Sequence, residues 1–404
     1  MHSSVSYGGK SLAIASLRRQ PRKRTDLATK SKHYRPDVQG LRAVAVGVVL
    51  LYHAGMPWMP GGFVGVDVFF VISGFLITAG IVRELQRDGR ISLKQFYIRR
   101  MARILPAATL TLIVTVVATW LLLPPTRWIQ VGIDALASGT YVVNWLFAQS
   151  SVDYLAQDQA PSPLQHFWSL AVEEQFYIVW PLLLMFVGWL SLTLNFRLQR
   201  GLLAALVLVA VPSFIWSIYY TAENPGGAYF VTTTRMWELA IGAGLAIWTS
   251  KAAKPSRLAG GILSWLGLAA ILTAAILYTE ATPFPSYTAL LPTLGAAAVL
   301  WGGSAGGNRG AGLVLNRWPM VQVGEISYSL YLWHWPMLVI IGALIGGYDS
   351  TAGLVIILLA LIPAWLSTQY VEKPAQDWIL NLKGYYSGES SKLMLGFTVT
   401  LIGL

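Results

Sequence analysis

The sequence contains no cysteine and few charged residues. Without a thiol, disulfide bonds and thiolate catalysis are excluded. Asp, Glu, Lys and Arg make up only 12% of the 404 residues, whereas an average soluble domain has about 25%. Hydrophobic residues make up 55% and are arranged in runs of about 20, which match the hydrocarbon thickness of a bilayer. The composition therefore predicts an all-α bundle that crosses a membrane many times.

Apolar runs predict ten full spans and the start of an eleventh. The ten runs begin near Leu41, Phe63, Leu105, Phe167, Leu202, Val231, Leu258, Pro285, Val323 and Thr351. The last run begins at Leu393 and rises only about 18 Å before the sequence stops. We therefore expect a ten-span unit over residues 38–374, a cytoplasmic linker over 375–392, and a truncated span over 393–404 whose chain continues in the full gene product.

The distribution of basic residues predicts the direction of the spans. The net charge is +11, from 29 basic and 18 acidic residues, and nine of the basic residues lie before position 36. Such a tail can bind nucleic acid, but ahead of a first span it is typical of a cytoplasmic amino terminus, so we predict no nucleic-acid partner. No removable signal peptide is evident. With residues 1–37 inside, later basic loops are cytoplasmic only if the apolar segment 131–149 lies at the outer surface without spanning.

Ionisable side chains inside spans are costly and by default mark functional sites. Arg42 and His53 are eleven positions apart, so they share one helix face about 16 Å apart along the axis. We expect both to line one cavity, with Arg42 near the cytoplasm and His53 beyond the midplane. The alternative is that the Arg42 side chain extends to the cytoplasmic membrane–water interface and that His53 is hydrogen-bonded to a backbone carbonyl.

Three arginines precede the third span, in FYIRRMARILP. Arg100 and Arg103 share a helix face, with Arg99 beside them. Membrane topology alone explains basic residues after a span. Two guanidinium groups on one face are also suited to a phosphorylated ligand, because arginine binds phosphate in a bidentate way.

A second group of ionisable residues opens the fourth span. His166 and Glu173 share a face, while Glu174 points about 100° away. These carboxyl groups could pair with Arg235. Alternatively, Glu238, three positions after Arg235, could neutralise that arginine within the same helix.

Polar residues also interrupt two other spans. In GEISYSLYLWHWP, Tyr331 and His334 share a face with Ser327, and Glu325 lies on the opposite face. Interfacial aromatic belts explain Tyr and Trp residues, but not a histidine in the middle of a span. Asp67 is likewise too deep for an interfacial position.

Together these stretches resemble the acyltransferase family 3 membrane proteins, over about residues 34–374. The resemblance rests on Arg42 and His53 and on the segments GGFVGVDVFFVISGFLIT, FYIRRMARILP, FWSLAVEEQFYIVWP, RMWELAIG, ISYSLYLWHWP and VEKP. It implies a bacterial inner-membrane enzyme that moves an acyl group, commonly acetyl, from cytoplasmic acyl-CoA to a hydroxyl of an extracytoplasmic glycan or glycolipid. The resemblance also extends to a subgroup in which an eleventh helix leads to an SGNH-type domain, although no SGNH motif is present in this sequence.

The resemblance implies that His53 is the catalytic histidine and that Arg42, Arg100 and Arg103 lie near the donor. We add as a hypothesis that Arg99 contacts the CoA phosphates and that Glu173 or Glu174 orients the imidazole. His53 would act as general base or carry the acyl group covalently. Asp67 and His334 are further catalytic candidates, no metal is predicted, and the candidates for acceptor-binding or structural roles are His166, Arg235, Glu238, Glu325 and Tyr331.

Two other functions fit parts of the sequence. A proton-coupled transporter or flippase of an anionic lipid-linked solute would also use buried charges, but we see neither paired repeats nor clearly broken helices. A membrane anchor for a further domain would explain the last helix and leave the buried ionisable residues without a role.

Overall fold

The computed structural model describes residues 34–89, 91–151, 160–306 and 309–381. These residues form helices and no strand, which confirms the all-α prediction. The predicted eleventh span, most of the basic tail and residues 382–392 of the linker lie outside the described residues. The α-helices are α1 Pro36–His53, α2 Gly65–Asp88, α3 Leu93–Leu122, α4 Trp128–Gly139, α5 Val143–Ser150, α6 Phe167–Thr193, α7 Leu198–Glu223, α8 Pro225–Phe230, α9 Met236–Thr249, α10 Arg257–Leu277, α11 Leu290–Gly306, α12 Gly312–Leu315, α13 Trp318–Leu344, α14 Ser350–Ser367 and α15 Lys373–Asn381.

The chain is a multi-pass membrane protein. Within the described ranges, eight helical segments are long and apolar enough to cross a membrane: Gly62–Asp88, Leu93–Leu122, Phe167–Thr193, Leu198–Glu223, Arg257–Leu277, Tyr287–Ala305, Trp318–Leu344 and Ser350–Leu380. They coincide with eight of the predicted spans. The first and sixth predicted spans correspond to α1, with 18 residues, and to the shorter apolar helix α9, with 14 residues.

The apolar segment 131–149 folds as two short helices, α4 and α5, of 12 and 8 residues. Each is shorter than the roughly 20 residues that a membrane crossing requires. The turn between them contains Tyr141, whose φ is 57°. Gln175 of α6 holds this turn, because its Nε2 donates to the carbonyl of Tyr141 at 2.8 Å and to Oδ1 of Asn144 at 2.9 Å.

Helices α2 and α9 pack backbone against backbone through two glycines. Gly74 of α2 lies against the carbonyl of Leu239, and Gly242 of α9 lies against the carbonyl of Val71. A Cβ atom at either glycine would overlap the opposite helix. Small residues commonly allow this close approach between membrane helices. The crossing brings the start of α2 beside the start of α9, where several ionisable residues lie.

Helix α1 lies in the interior of the bundle and positions the candidate site. It packs against α2 and α13, and most of its residues, including Arg42, are buried. Arg42 lies in the second turn and His53 is the last residue. The two candidate residues of this helix are therefore separated by about three turns.

Candidate active site

A cavity of about 430 Å³ lies at the carboxyl end of α1, and we call it the histidine cavity. Its lining includes His53 and His166, with Trp335 beside them. Aromatic side chains from α6, α8 and the loop after α10 form much of the remaining wall: Trp168, Tyr229, Phe230 and Phe284. Its volume lies within the range of about 300–1,000 Å³ that is common for small-molecule sites.

His53 and His334 form a hydrogen-bonded pair at the wall of this cavity. His53 Nδ1 lies 3.0 Å from His334 Nε2, and His334 Nδ1 lies 2.6 Å from the carbonyl oxygen of Tyr331. A carbonyl oxygen can only accept, so His334 Nδ1 carries a hydrogen. With His334 neutral, its Nε2 accepts a hydrogen bond from His53 Nδ1–H. His53 Nε2 then carries a lone pair, which is the state of a general base.

The hypothesis that Glu173 or Glu174 orients the imidazole is therefore wrong in its geometry. The ring partner of His53 is His334, which is fully buried. Glu173 instead accepts hydrogen bonds from Ser73 at 2.9 Å and from Tyr177 at 3.0 Å. His334 therefore contacts the Nδ1 side of the His53 ring, where it can hold the orientation of that ring.

His166 joins the same cluster of imidazoles. Its ring lies edge-on to the rings of His334, at 5.8 Å between centroids, and of Tyr331, at 5.7 Å. His166 is buried, and neither ring nitrogen makes a hydrogen bond of normal geometry to the described residues, although the carbonyl of Leu332 lies close. The structure thus brings together three of the histidines singled out in the sequence.

A second cavity, of about 90 Å³, contains the basic residues, and we call it the arginine cavity. Arg42, Arg100 and Arg103 line it together with Glu173 and Glu174. An adjoining cavity of about 190 Å³ is lined by Arg99 and shares Arg100 and Arg103 with the first. The arginines of this region come from α1 and α3, and guanidinium groups can contact a phosphorylated ligand in a bidentate way.

The arginine cavity has a fixed internal structure. Arg42 Nη1 donates to Oε1 of Gln39 at 3.1 Å. The guanidinium of Arg100 lies 5.4 Å from the centroid of the Tyr177 ring, as in a cation–π contact. Arg99 forms an ion pair with Glu84 at 3.3 Å.

The expectation that Arg42 and His53 line a single cavity requires a correction. Arg42 lines the arginine cavity and His53 lines the histidine cavity. Val66 and Tyr331 line both cavities, so these two side chains form the partition between them. The Tyr331 hydroxyl is held by Ser169 Oγ at 2.7 Å and donates to the carbonyl of His166 at 3.1 Å.

Arg235 forms a buried ion cluster with two carboxyl groups from α2 and α9. Its Nη1 lies 3.0 Å from Asp67 Oδ1 and 3.1 Å from Glu238 Oε1, and its side chain is 1% exposed. The pairing with Glu238 agrees with one alternative from the sequence, whereas the pairing with Glu173 or Glu174 does not occur. Asp67 lines neither cavity, because it is directed at Arg235. The described ion pair of Asp67 is therefore with Arg235.

Two acidic residues near the cavities were not singled out from the sequence. Glu372, in the segment VEKP, ends a π-helical turn, accepts a hydrogen bond from Ser329 at 3.1 Å and interacts electrostatically with Arg42 and Arg103. The VEKP segment could have identified Glu372 from the sequence. Glu280 lines the histidine cavity from the loop after α10, where no local pattern marks it. Glu325 is half-buried on α13 and lines neither cavity.

Comparison with known proteins assigns the family. A family model described as an acyltransferase domain matches residues 35–369. The peptidoglycan O-acetyltransferase OatA of Listeria monocytogenes is 33% identical over 375 residues, which are 88% of this chain and 58% of that protein. The putative peptidoglycan O-acetyltransferase YrhL of Bacillus subtilis is 35% identical, over 85% of this chain and 56% of that protein. The O-acetyltransferase OatA of Staphylococcus aureus is 34% identical, over 85% and 57%.

No solved structure matches the chain. The chain spans a little more than half the length of the curated relatives that it matches. The family match covers all the described residues that line either cavity, from Arg42 in α1 to Trp335 in α13. The chain is therefore a member of this acyltransferase family.

Proposed function

We propose that the chain is a membrane O-acyltransferase that moves an acetyl group from acetyl-CoA, or another acyl group from its CoA thioester, to a hydroxyl of an extracytoplasmic glycan. The observation that carries this proposal is the His53–His334 hydrogen bond, which directs the basic nitrogen of His53 away from its partner beside a cavity of suitable size. The names of the relatives indicate a peptidoglycan-like acceptor.

The donor would bind on the arginine side. Arg99, Arg100 and Arg103 would contact the CoA phosphates, because bidentate contacts with phosphate are what a guanidinium group provides. Arg42 and Glu173 also line the arginine cavity. The thioester would meet the acceptor at the partition made by Val66 and Tyr331, since only these side chains line both cavities among the described residues.

The reaction moves one proton and one acyl group. His53 Nε2 takes the proton of the acceptor hydroxyl as the oxygen attacks the thioester carbonyl carbon. A C–O bond forms, the C–S bond breaks, and the proton is passed to the thiolate, which leaves as the CoA thiol. In the covalent alternative, His53 Nε2 first attacks the carbonyl carbon, the C–S bond breaks and the CoA thiolate leaves. The acceptor hydroxyl then attacks the acyl-histidine, the N–C bond breaks, and the hydroxyl proton is passed to the thiolate. Rapid quenching with a labelled donor distinguishes the two routes, because only the second gives an acyl-histidine.

The orientation is part of the proposal. The amino terminus and the arginine cavity face the cytoplasm, because the predicted inner loops carry the basic residues. The histidine cavity faces the other side of the cytoplasmic membrane, as expected for ten crossings with segment 131–149 outside.

The decisive experiment uses the purified protein in vesicles with labelled acetyl-CoA and a soluble glycan. His53→Ala should abolish transfer to the glycan, while His33→Ala, in the basic tail, should leave it unchanged. General base catalysis alone contributes about 10²- to 10⁴-fold. Normal acetylation by the His53→Ala protein refutes the role of His53. Solute uptake by the wild-type protein without consumption of acetyl-CoA refutes the enzyme and supports transport.

A further inference from the structure

Two side chains separate the histidine cavity from the arginine cavity. Val66 of α2 and Tyr331 of α13 line both cavities, and no other described residue does. Both are buried. The proposed donor and acceptor sites lie on opposite sides of this partition, so its closure decides what can reach a bound thioester.

Val66 is the fixed half of the partition. It follows Gly65 at the start of α2, where a Cβ atom on Gly65 would overlap the carbonyl oxygen of Ala45 in α1. Backbone packing of this kind holds two membrane helices close together. A valine in a helix also has one strongly preferred χ1 rotamer. An opening between the two cavities therefore depends on Tyr331.

The hydroxyl group of Tyr331 is bound to a neighbouring helix. Tyr331 Oη lies 2.7 Å from Ser169 Oγ and donates to the carbonyl oxygen of His166 at 3.1 Å. Ser169 Oγ lies 3.2 Å from the same carbonyl oxygen. We call these three oxygen atoms the hydroxyl cluster. The cluster joins α13 to the start of α6 and holds the Tyr331 side chain in its position across the partition.

The Tyr331 ring fills the space between the cavities. Its centroid lies 6.5 Å from that of Phe69, which lines the arginine cavity, and 5.7 Å and 5.3 Å from those of His166 and His334. Without this ring, a void would join two cavities whose linings include polar groups. Water enters a site that is roomy and has polar partners. The ring is therefore placed to exclude water.

We propose that Tyr331 is a barrier to water between the two cavities, and that the hydroxyl cluster keeps this barrier closed. The barrier itself does not depend on the donor, but its consequence for the thioester rests on the proposed function. Tyr331 would make the enzyme specific for the acceptor hydroxyl over water, because an active site that excludes water avoids hydrolysis of its reactive groups.

The side reaction that the barrier prevents is hydrolysis of the donor. A water oxygen attacks the thioester carbonyl carbon, a C–O bond forms and the C–S bond breaks. One proton of the water passes to the thiolate, so the products are the free acid and the CoA thiol. Transfer to the acceptor requires the Tyr331 ring to move aside, because the ring lies between the sites of the two substrates.

The first experiment tests the barrier in the absence of any donor. The chain has no cysteine, so Ser73→Cys introduces a single thiol in the arginine cavity and Thr279→Cys a single thiol in the histidine cavity. Sealed vesicles are treated with sodium (2-sulfonatoethyl) methanethiosulfonate, which does not cross bilayers, on the side from which the Thr279→Cys protein reacts. The Ser73→Cys thiol should be protected from that side. With Tyr331→Ala it should react at least about tenfold faster, because the ring is replaced by a void.

The control for the first experiment is Leu332→Ala. Leu332 is a fully buried residue of the same helix that lines neither cavity, so its loss should leave the Ser73→Cys thiol protected. Tyr331→Phe retains the ring and should fold even where Tyr331→Ala does not. In that background the thiol should react about fivefold faster than with Tyr331, the effect of about one lost hydrogen bond.

The second experiment measures the acetate released from acetyl-CoA without an acceptor. Tyr331→Phe and Ser169→Ala each remove a hydroxyl of the cluster and should raise hydrolysis about fivefold. Ser191→Ala is the matched control, because Ser191 is a buried serine of α6 that donates to the carbonyl of Gly188 within its own helix and lines neither cavity. It should hydrolyse acetyl-CoA at the wild-type rate.

The outcomes separate the barrier from the proposed function. The barrier is overturned if the Ser73→Cys thiol reacts from the histidine side while Tyr331 is intact, or if it stays protected when Tyr331 is replaced. Its role in excluding water is overturned if transfer proceeds but Tyr331→Phe and Ser169→Ala hydrolyse no more acetyl-CoA than Ser191→Ala. The expected labelling with neither hydrolysis nor transfer of acetyl-CoA would contradict the proposed function and leave the barrier standing.

Discussion

The role of His334 gives the sharpest prediction. Replacing His334 by Ala removes the acceptor that lies 3.0 Å from His53 Nδ1. The Nδ1–H group of His53 is then left without its partner, and the imidazole can rotate or take the other tautomer. An unsatisfied buried donor costs about 1–3 kcal/mol, so we expect kcat to fall about 5- to 150-fold. The KM values for donor and acceptor should not change, because His334 lines neither cavity.

The assay is steady-state transfer of labelled acetyl groups from acetyl-CoA to a soluble glycan by protein in nanodiscs. His334→Gln should lose less than His334→Ala, because a glutamine can donate to the Tyr331 carbonyl and accept from His53. Leu332→Ala is the control for a cavity in the same helix, since Leu332 is fully buried. The reasoning fails if His334→Ala keeps the wild-type kcat, or if the Gln variant is no better than the Ala variant. A loss as complete as that of His53→Ala would make His334 a catalytic residue in its own right.

Three further predictions concern the donor site and the bundle. Arg100→Gln should raise the KM for acetyl-CoA about tenfold through the loss of a charge-assisted hydrogen bond. The control Arg317→Gln, which changes an exposed arginine outside both cavities, should leave this KM unchanged. Equal KM values for the two variants contradict the assignment of Arg100 to the CoA phosphates. Gly74→Ala should destabilise the protein by about 1–3 kcal/mol through overlap with α9, while Gly80→Ala, whose Cβ meets no atom within 4 Å, should be neutral or stabilising. Thermal unfolding checks this pair, and equal midpoints refute the packing argument. Arg235→Met should cost about 3–5 kcal/mol by leaving two buried carboxyl groups without their cation; an unchanged unfolding midpoint would show that the cluster is not structural.

Much of the architecture followed from the sequence. Runs of about 20 apolar residues predict spans because a bilayer offers no partner for an unpaired backbone group, and eight of these runs are helices of sufficient length. Helical periodicity also placed Arg42 and His53 correctly on α1. The family resemblance singled out several of the segments that line the cavities.

The partners of the buried groups did not follow from the sequence. His53 and His334 are 281 residues apart, and Asp67 and Arg235 are 168 apart. Helical periodicity gives the direction of a side chain on its own helix but not the helix opposite to it. The prediction for Arg235 was therefore right for Glu238, three residues away, and wrong for Glu173 and Glu174.

The division into two cavities was also decided only by the tertiary structure. A shared helix face suggested a single channel from Arg42 to His53, but the two residues line separate cavities, and Val66 of α2 and Tyr331 of α13 line both of them. The sequence by itself determined which segments are apolar enough to span a membrane and which of these contain ionisable residues, because both are local properties of the sequence. Helix packing determined which imidazole groups are hydrogen-bonded to each other and which residues separate the two cavities. Those contacts join residues from helices that are distant in the chain.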